Sequence, residues 1–302
     1  MRIKLNIEHL DEKLINLPFF VFRKKNLNKR SKFRKFIFLF QSYLVILCFK
    51  SFNKKLLCVL MNLFYKDDGK VSYSESKNLY SKEYENNLIY FPNKYRLSGS
   101  MVNHDYELMN LLDSYCLDSF NLDPDDTIID CGANVGNLYL AISKFHKKFN
   151  YVGFEPDINV YECLKLNTLN SSNVEIHNFG LSDTNSIDNI FYIDSNHGDS
   201  SLEYFDSSSE IKIETKKLDS LKMEKIKLFK IDAEGHELEV LIGSKETLKV
   251  TEYICIDMGG EKGEFNQNTV SEVTNFLLDN NFRLIDFNEN RITGLFENKK
   301  YY

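Results

Sequence analysis

Asp232, Glu234, His236 and Glu237 fall within one short stretch, K-I-D-A-E-G-H-E, residues 230–237. Four ionisable side chains so close together can take up and pass on a proton, and an imidazole titrates near neutral pH. The chemistry expected is removal of a proton from a weakly acidic hydroxyl, with His236 as the base. Asp232 would assist it or hold a positively charged group. A histidine in the first turn of a helix also serves as a cap or packing residue, and that is the other reading of His236. His197, in S-N-H-G-D-S-S-L, and His104 are alternative bases. Ser200, Ser201, Glu234 and Asp257 are candidates for ordering an acceptor. Asp232 and Asp257 with one more oxygen would suit magnesium, although no spacing in the chain demands a metal, and none is expected.

A second constellation lies upstream in D-T-I-I-D-C-G-A-N-V-G-N, residues 126–137, an apolar run that ends in Asp130 and turns through Gly132 and Gly136. Glycines there permit backbone conformations that a Cβ obstructs, and the following helix directs its amide dipole over the turn. Glu155 comes 23 residues after Gly132, where a carboxylate can accept both hydroxyls of a ribose. The spacing is not G-x-G-x-x-G, because Asn134 and Asn137 interrupt it, so a pyrophosphate lacks the close approach it needs. No Gly-Lys-Ser/Thr follows, which excludes a P-loop. Asp130 suits a cationic ligand better than a polyanion. S-adenosyl-L-methionine carries a sulfonium, an amino group and an adenosine ribose, and it fits Asp130 and Glu155 together. A glycine turn by itself is only a tight strand-to-helix loop.

Both constellations need a scaffold that ends several strands at one edge. The candidate strands are 127–130, 151–156, 174–179, 228–232 and 253–257, with a terminal pair, R-L-I-D-F and I-T-G-L-F. Helical spacing falls between most of them, at 135–145, 158–169, 237–248 and 270–278. Strand and helix alternating at this interval predict a parallel sheet covered on both faces, with the terminal pair forming an antiparallel hairpin at one edge. Residues 185–220 break the alternation as an inserted β-excursion. Ligands of such sheets bind beyond the carboxyl ends of the strands.

The series D-T-I-I-D-C-G-A-N-V-G-N, V-G-F-E-P-D, G-L-S-D, G-D-S-S-L and K-L-F-K-I-D-A-E-G-H-E-L-E-V-L-I-G-S resembles the FkbM family of S-adenosylmethionine-dependent methyltransferases over roughly residues 100–298. The resemblance implies a class I methyltransferase fold, a Rossmann-like, doubly wound α/β sheet of seven strands with one antiparallel, acting mostly on hydroxyl oxygens of sugars or secondary metabolites. It implies that Asp130, Gly132, Asn134 and Gly136 surround the methionine part of the cofactor, Glu155 its ribose and Asp183 or its neighbours its adenine. Where the family often closes its fifth strand with Glu, this chain has Asp257.

Composition bounds the rest. At 302 residues, 43% hydrophobic and 14% aromatic, a folded enzyme is permitted. The six cysteines form no C-x-x-C pair, so neither a zinc site nor a disulfide framework is indicated, and a reducing cytoplasm fits. Residues 1–66 hold 15 Lys and Arg against 3 Asp and Glu, net +12, which leaves −18 for residues 67–302. The expected organisation is a basic, partly apolar helical head over 1–90 and a methyltransferase domain over 91–302. The apolar run Phe36–Phe49 is shorter than the roughly 20 residues a bilayer requires. It reads either as helices packed on the body or as a segment resting on the cytoplasmic face of an anionic membrane. Nucleic acid is not an expected partner, because no fold motif or stacking series accompanies the charge. The expected function is O-methylation of a hydroxyl of a sugar, surface glycan or secondary metabolite; for an acceptor built on a lipid carrier, the basic head would bring the enzyme to the cytoplasmic face of the membrane. The alternative is a non-catalytic adenosine-ligand-binding or scaffolding protein on the same fold.

Overall fold

The computed structural model describes residues 53–301 apart from 65–68, 85–86, 100–103, 119, 147, 170, 194–199 and 205–208, together with Ser31, Lys32, Phe33, Ile37, Phe40 and Leu44. Most of the run Phe36–Phe49, and His197, lie outside the described residues. The chain divides into two compact units, Met1–Glu107 and Leu108–Tyr302.

In the first unit, helix α1 (Lys54–Phe64) is capped by Asn53, whose Oδ1 accepts the Leu56 N–H at 2.9 Å. Its Asn62 side chain exchanges two 2.7 Å hydrogen bonds with the Val71 backbone, tying it to strand β1 (Val71–Ser74). β1 continues into β2 (Leu79–Tyr84) and β3 (Asn87–Phe91) as an antiparallel three-stranded sheet. This corrects the expected helical head for residues 71–91. Val71, Tyr80, Ile89 and Phe91 are buried and share one face by register, which is a period-two pattern that no helix can use. Two helices follow, α2 (Lys94–Gly99) and α3 (His104–Ser114). His104, an alternative base in sequence, is buried in this unit with its ring edge-on to Tyr84.

The second unit is built on a seven-stranded sheet. Its strands and helices run β4 (Thr127–Cys131), α4 (Asn137–Phe145), β5 (Asn150–Phe154), α5 (Ile158–Thr168), β6 (Val174–His177) and β7 (Gly180–Leu181). β8 (Ser186–Ile193), β9 (Ser200–Ser201) and β10 (Ser209–Lys216) join β7 in a separate four-stranded sheet of order β7-β10-β8-β9, which is the expected excursion. The main sheet resumes with β11 (Ile226–Ile231), α6 (Glu237–Ile242), α7 (Lys245–Leu248) and β12 (Thr251–Asp257). A short ribbon of β13 (Gly260–Lys262) and β14 (Gln267–Asn268) precedes α8 (Val270–Asp279), β15 (Phe282–Asn288) and β16 (Thr293–Asn298).

The order is β15-β16-β12-β11-β4-β5-β6, with β16 antiparallel to both neighbours and every other pair parallel. This is the class I methyltransferase architecture. Adjacent residues feed opposite faces: Ile129, Phe229 and Ile231 enter one core, whereas Ile128, Leu228 and Tyr151 enter the other. Burial on both faces is why these strands read as continuous apolar runs.

One helix differs from the sequence expectation. The pattern over 237–248 is split into α6 and α7 at Gly243 and Ser244. A Cβ on Gly243 would stand 2.0 Å from the Ser182 carbonyl oxygen, so this bend brings the 230–242 segment against the chain after β7.

Candidate active site

β4 and β11 lie side by side, and the turns that leave them are bound to one another. Gly132 has φ +72°, and a Cβ there would meet the Asp232 carbonyl oxygen at 2.0 Å. The Asp232 N–H donates to the Cys131 carbonyl at 3.2 Å. Asn134 is itself left-handed at φ 52°, and its N–H donates to Glu155 Oε2 at 2.9 Å. Glu155 Oε1 accepts the Asp157 N–H at 3.0 Å, so the carboxylate at the end of β5 also fixes the shape of the glycine loop. Gly136 caps α4 from a left-handed conformation.

Asp130 and Lys230 are register partners across the two strands, and both are buried. Lys230 Nζ lies 3.0 Å from Asp130 Oδ1 and donates to the carbonyls of Cys131 at 3.0 Å and Gly132 at 2.8 Å. Tyr151 donates to Asp130 Oδ2 at 2.5 Å. The cation that the position of Asp130 called for is therefore supplied by the chain, which corrects its reading as a group presented to a cationic ligand. Burial works against the charge on Lys230, but Asp130 and Asp232 outweigh it and raise its pKa.

Past the strand ends lies a second charged group. Asp232 Oδ2 accepts the Tyr115 hydroxyl at 2.5 Å and Arg291 Nη2 at 3.0 Å, while Arg291 Nε donates to Asp257 Oδ2 at 2.6 Å. The guanidinium also sits 4.5 Å from the centre of the Tyr115 ring. Arg291 thus stands as the cation between Asp232 and Asp257, the pair of carboxylates that magnesium would also suit. Burial raises the Asp232 carboxyl, yet Lys230 and Arg291 prevail and hold it below its usual range. Asp257 goes the other way, because burial and the charge of Asp232 exceed the pull of Arg291. Glu261, on β13, brings a carboxylate oxygen within 4.8 Å of those of Asp232 and Asp257. Burial, then Asp232 and Asp257, push it up to about 8.

His236 is placed differently from the expected base. Its Nδ1 is 2.9 Å from Glu203 Oε1 and its Nε2 is 3.0 Å from Ser182 Oγ. Both ring nitrogens are engaged: Nε2 joins the 230–237 loop to the Ser182–Asp183 corner after β7, and Nδ1 joins it to Glu203 just past β9. His236 is therefore tied to the segment in which Asp183 lies. Ser201 is buried and donates to the Glu234 carbonyl at 2.5 Å, so it holds the loop rather than facing an acceptor. Ser200 adjoins it on β9, half-buried, and Glu234 has a left-handed backbone at φ 51°. Tyr115, Lys230, Glu261 and Arg291 were not among the candidate residues from sequence.

Glu237 closes the loop from inside. Its Oε1 accepts the N–H groups of Gly235 at 2.9 Å and Ala233 at 3.2 Å, and its Oε2 accepts the Thr269 hydroxyl at 3.2 Å. Burial nonetheless pushes the carboxyl up from 4.5 to about 7. The folded state holds this proton more tightly than the unfolded one, so the associated stability is full below pH about 4.5 and is lost as pH rises through about 7. The loss amounts to about 3 kcal/mol. Urea unfolding between pH 5 and 8 is expected to show this decline, and Glu237→Gln, which keeps the acceptor for Gly235, should flatten it. An unchanged slope in the variant would refute the assignment.

Residues 130–284 match the family described as the methyltransferase FkbM domain. Methyltransferase sdnD of Sordaria araneosa is 27% identical over 184 residues, covering 49% of this chain and 71% of that protein. Among solved structures, methyltransferase FkbM from Methylobacillus flagellatus KT aligns at 16% identity and a TM-score of 0.44, over 68% of this chain and 55% of that one. Magnesium protoporphyrin IX methyltransferase from Synechocystis PCC 6803, with bound SAM, aligns at 11% identity and a TM-score of 0.40, over 68% and 83% respectively. This chain thus spans little more than half the length of the first of those solved relatives.

Proposed function

The chain belongs to the family of methyltransferase FkbM domains, and from that premise we propose that it methylates a hydroxyl oxygen of a sugar, surface glycan or secondary metabolite using S-adenosyl-L-methionine. The observation that carries the cofactor reading is the Gly132–Gly136 loop, bound on one side to Glu155 and on the other to Asp232. The residues fit that ligand. Asp232 Oδ1 and Asn137 Oδ1 are buried acceptors without a hydrogen-bond partner among the described residues, as an ammonium or hydroxyl donor requires. Glu155 would take the ribose, the loop backbone from Gly132 to Gly136 the methionine part, Asp232 its amino group, and Asp183 the adenine. When bound, the cofactor supplies an electrophilic methyl group on sulfur.

The chain's own part is to align the acceptor and to remove its proton. Arg291 and Tyr115 fix Asp232, and Arg291 and the Gly259 N–H, which donates at 2.9 Å, fix Asp257. That leaves Glu261 to accept the proton, since a base works best when its pKa lies near the working pH. Carboxylates grouped in this way also suit an acceptor rich in hydroxyls.

Calorimetric titration tests the cofactor site. Glu155→Ala is expected to weaken S-adenosyl-L-methionine binding by roughly tenfold or more, because charge-assisted hydrogen bonds worth about 1.5–3 kcal/mol are lost. Glu155→Gln keeps an acceptor for the Asn134 N–H and should lose less. NAD should not bind at all. Wild-type affinity in Glu155→Ala would sink the assignment.

A further inference from the structure

Helix α1 has two apolar faces. Leu57, Cys58 and Met61 are buried, while Leu56, Val59 and Leu63, spaced along the other side, are 43, 59 and 56% exposed. Phe33, Ile37 and Phe40, all in helical conformation, also fall three and four positions apart and are exposed as well. Large apolar side chains aligned in this way mark a contact surface, whereas scattered ones need no explanation. Lys54 and Lys55 open α1, and residues 1–66 together carry a net charge of +12.

We propose that the first unit docks on an anionic lipid surface, with Leu56, Val59 and Leu63 of α1 in the interface and the basic residues against the headgroups. Charge complementarity chooses this occupant. A second copy pairing through the same face would set one +12 segment against another, and a nucleic acid would leave the apolar stripe in water. Among the described residues no helix is long and apolar enough to cross a membrane, so α1 would lie on the bilayer. An exposed apolar stripe in a basic segment binds by burying the stripe and attracting anionic lipid, and the attraction is screened by salt.

The full-length chain should be sedimented with phosphatidylcholine vesicles containing about one third phosphatidylglycerol, and with phosphatidylcholine alone. The expected result is binding to the anionic vesicles only, weakening as salt rises. Val59→Glu combined with Leu63→Glu should weaken it roughly a hundredfold. Both positions are exposed, so the melting temperature and the S-adenosyl-L-methionine affinity should stay at wild-type values. The proposal falls if wild type ignores anionic vesicles at low salt, or if it binds both vesicle types equally. It falls too if the double variant binds like wild type, including the case in which the substitutions only break up a dimer.

Discussion

Replacing Lys230 by methionine should destabilise the second unit by about 3–5 kcal/mol, the usual result of removing one partner from a buried ion pair. The volume lost is small, so packing contributes little. What remains is the Asp130 carboxylate, fully buried, with Tyr151 as its one side-chain donor among the described residues, and two carbonyls, of Cys131 and Gly132, stripped of a charged donor. Those carbonyls begin the glycine loop, so any molecules that fold should also bind S-adenosyl-L-methionine poorly. Urea denaturation measures the first effect and calorimetry the second. Adding Asp130→Asn to Lys230→Met removes the uncompensated charge and should recover part of the loss, giving a coupling energy of 0.5–3 kcal/mol or somewhat more. A loss below about 1 kcal/mol in Lys230→Met, with no coupling, would mean that the pair does not organise the site.

That pair also shows where sequence reasoning stopped. L-F-K-I-D was read correctly as a strand because its apolar residues serve two cores, but a lysine inside such a run cannot be left alone there. The neighbouring strand T-I-I-D carries the opposite charge at the matching register position. Pairing the two strands in the expected order sets Asp130 beside Lys230, an internal cation that T-I-I-D read alone does not show. Tyr115 and Arg291 offered no comparable signal. They reach Asp232 from 117 and 59 positions away, through a helix and a hairpin turn whose approach only the folded sheet defines. The first unit escaped for a local reason: strands β1 to β3 are only four to six residues long, and Lys82 interrupts the apolar residues of their buried face, so the alternation is short and broken. Gly132 and Gly136 were legible because both positions take a positive φ, which calls for glycine.

The second large effect is expected at Glu261. Three carboxyl groups stand near the ends of β11 and β12, and their surroundings separate their tasks. Asp232 stays ionised beside Lys230 and Arg291, and an anion stabilised in that way is a poor proton acceptor. Asp257 is held at both oxygens, by Arg291 and by the Gly259 N–H. Glu261, pushed up to about 8, is the one of the three whose proton affinity lies near the pH at which a general base would work. Glu261→Gln should therefore lower turnover by 10²- to 10⁴-fold while leaving S-adenosyl-L-methionine affinity nearly unchanged. In wild type the rate should climb as pH rises towards about 8 and Glu261 loses its proton, and this limb should be missing from the residual activity of the variant. His236→Ala separates the two candidates, because a residue that clamps Ser182 to Glu203 should chiefly raise the dissociation constant of the cofactor. Transfer of labelled methyl groups to fractionated glycan and metabolite extracts provides the assay. If Glu261→Gln keeps wild-type turnover and His236→Ala abolishes turnover with cofactor affinity intact, the imidazole is the base after all, and its hydrogen bonds to Ser182 and Glu203 must open before the acceptor can reach it.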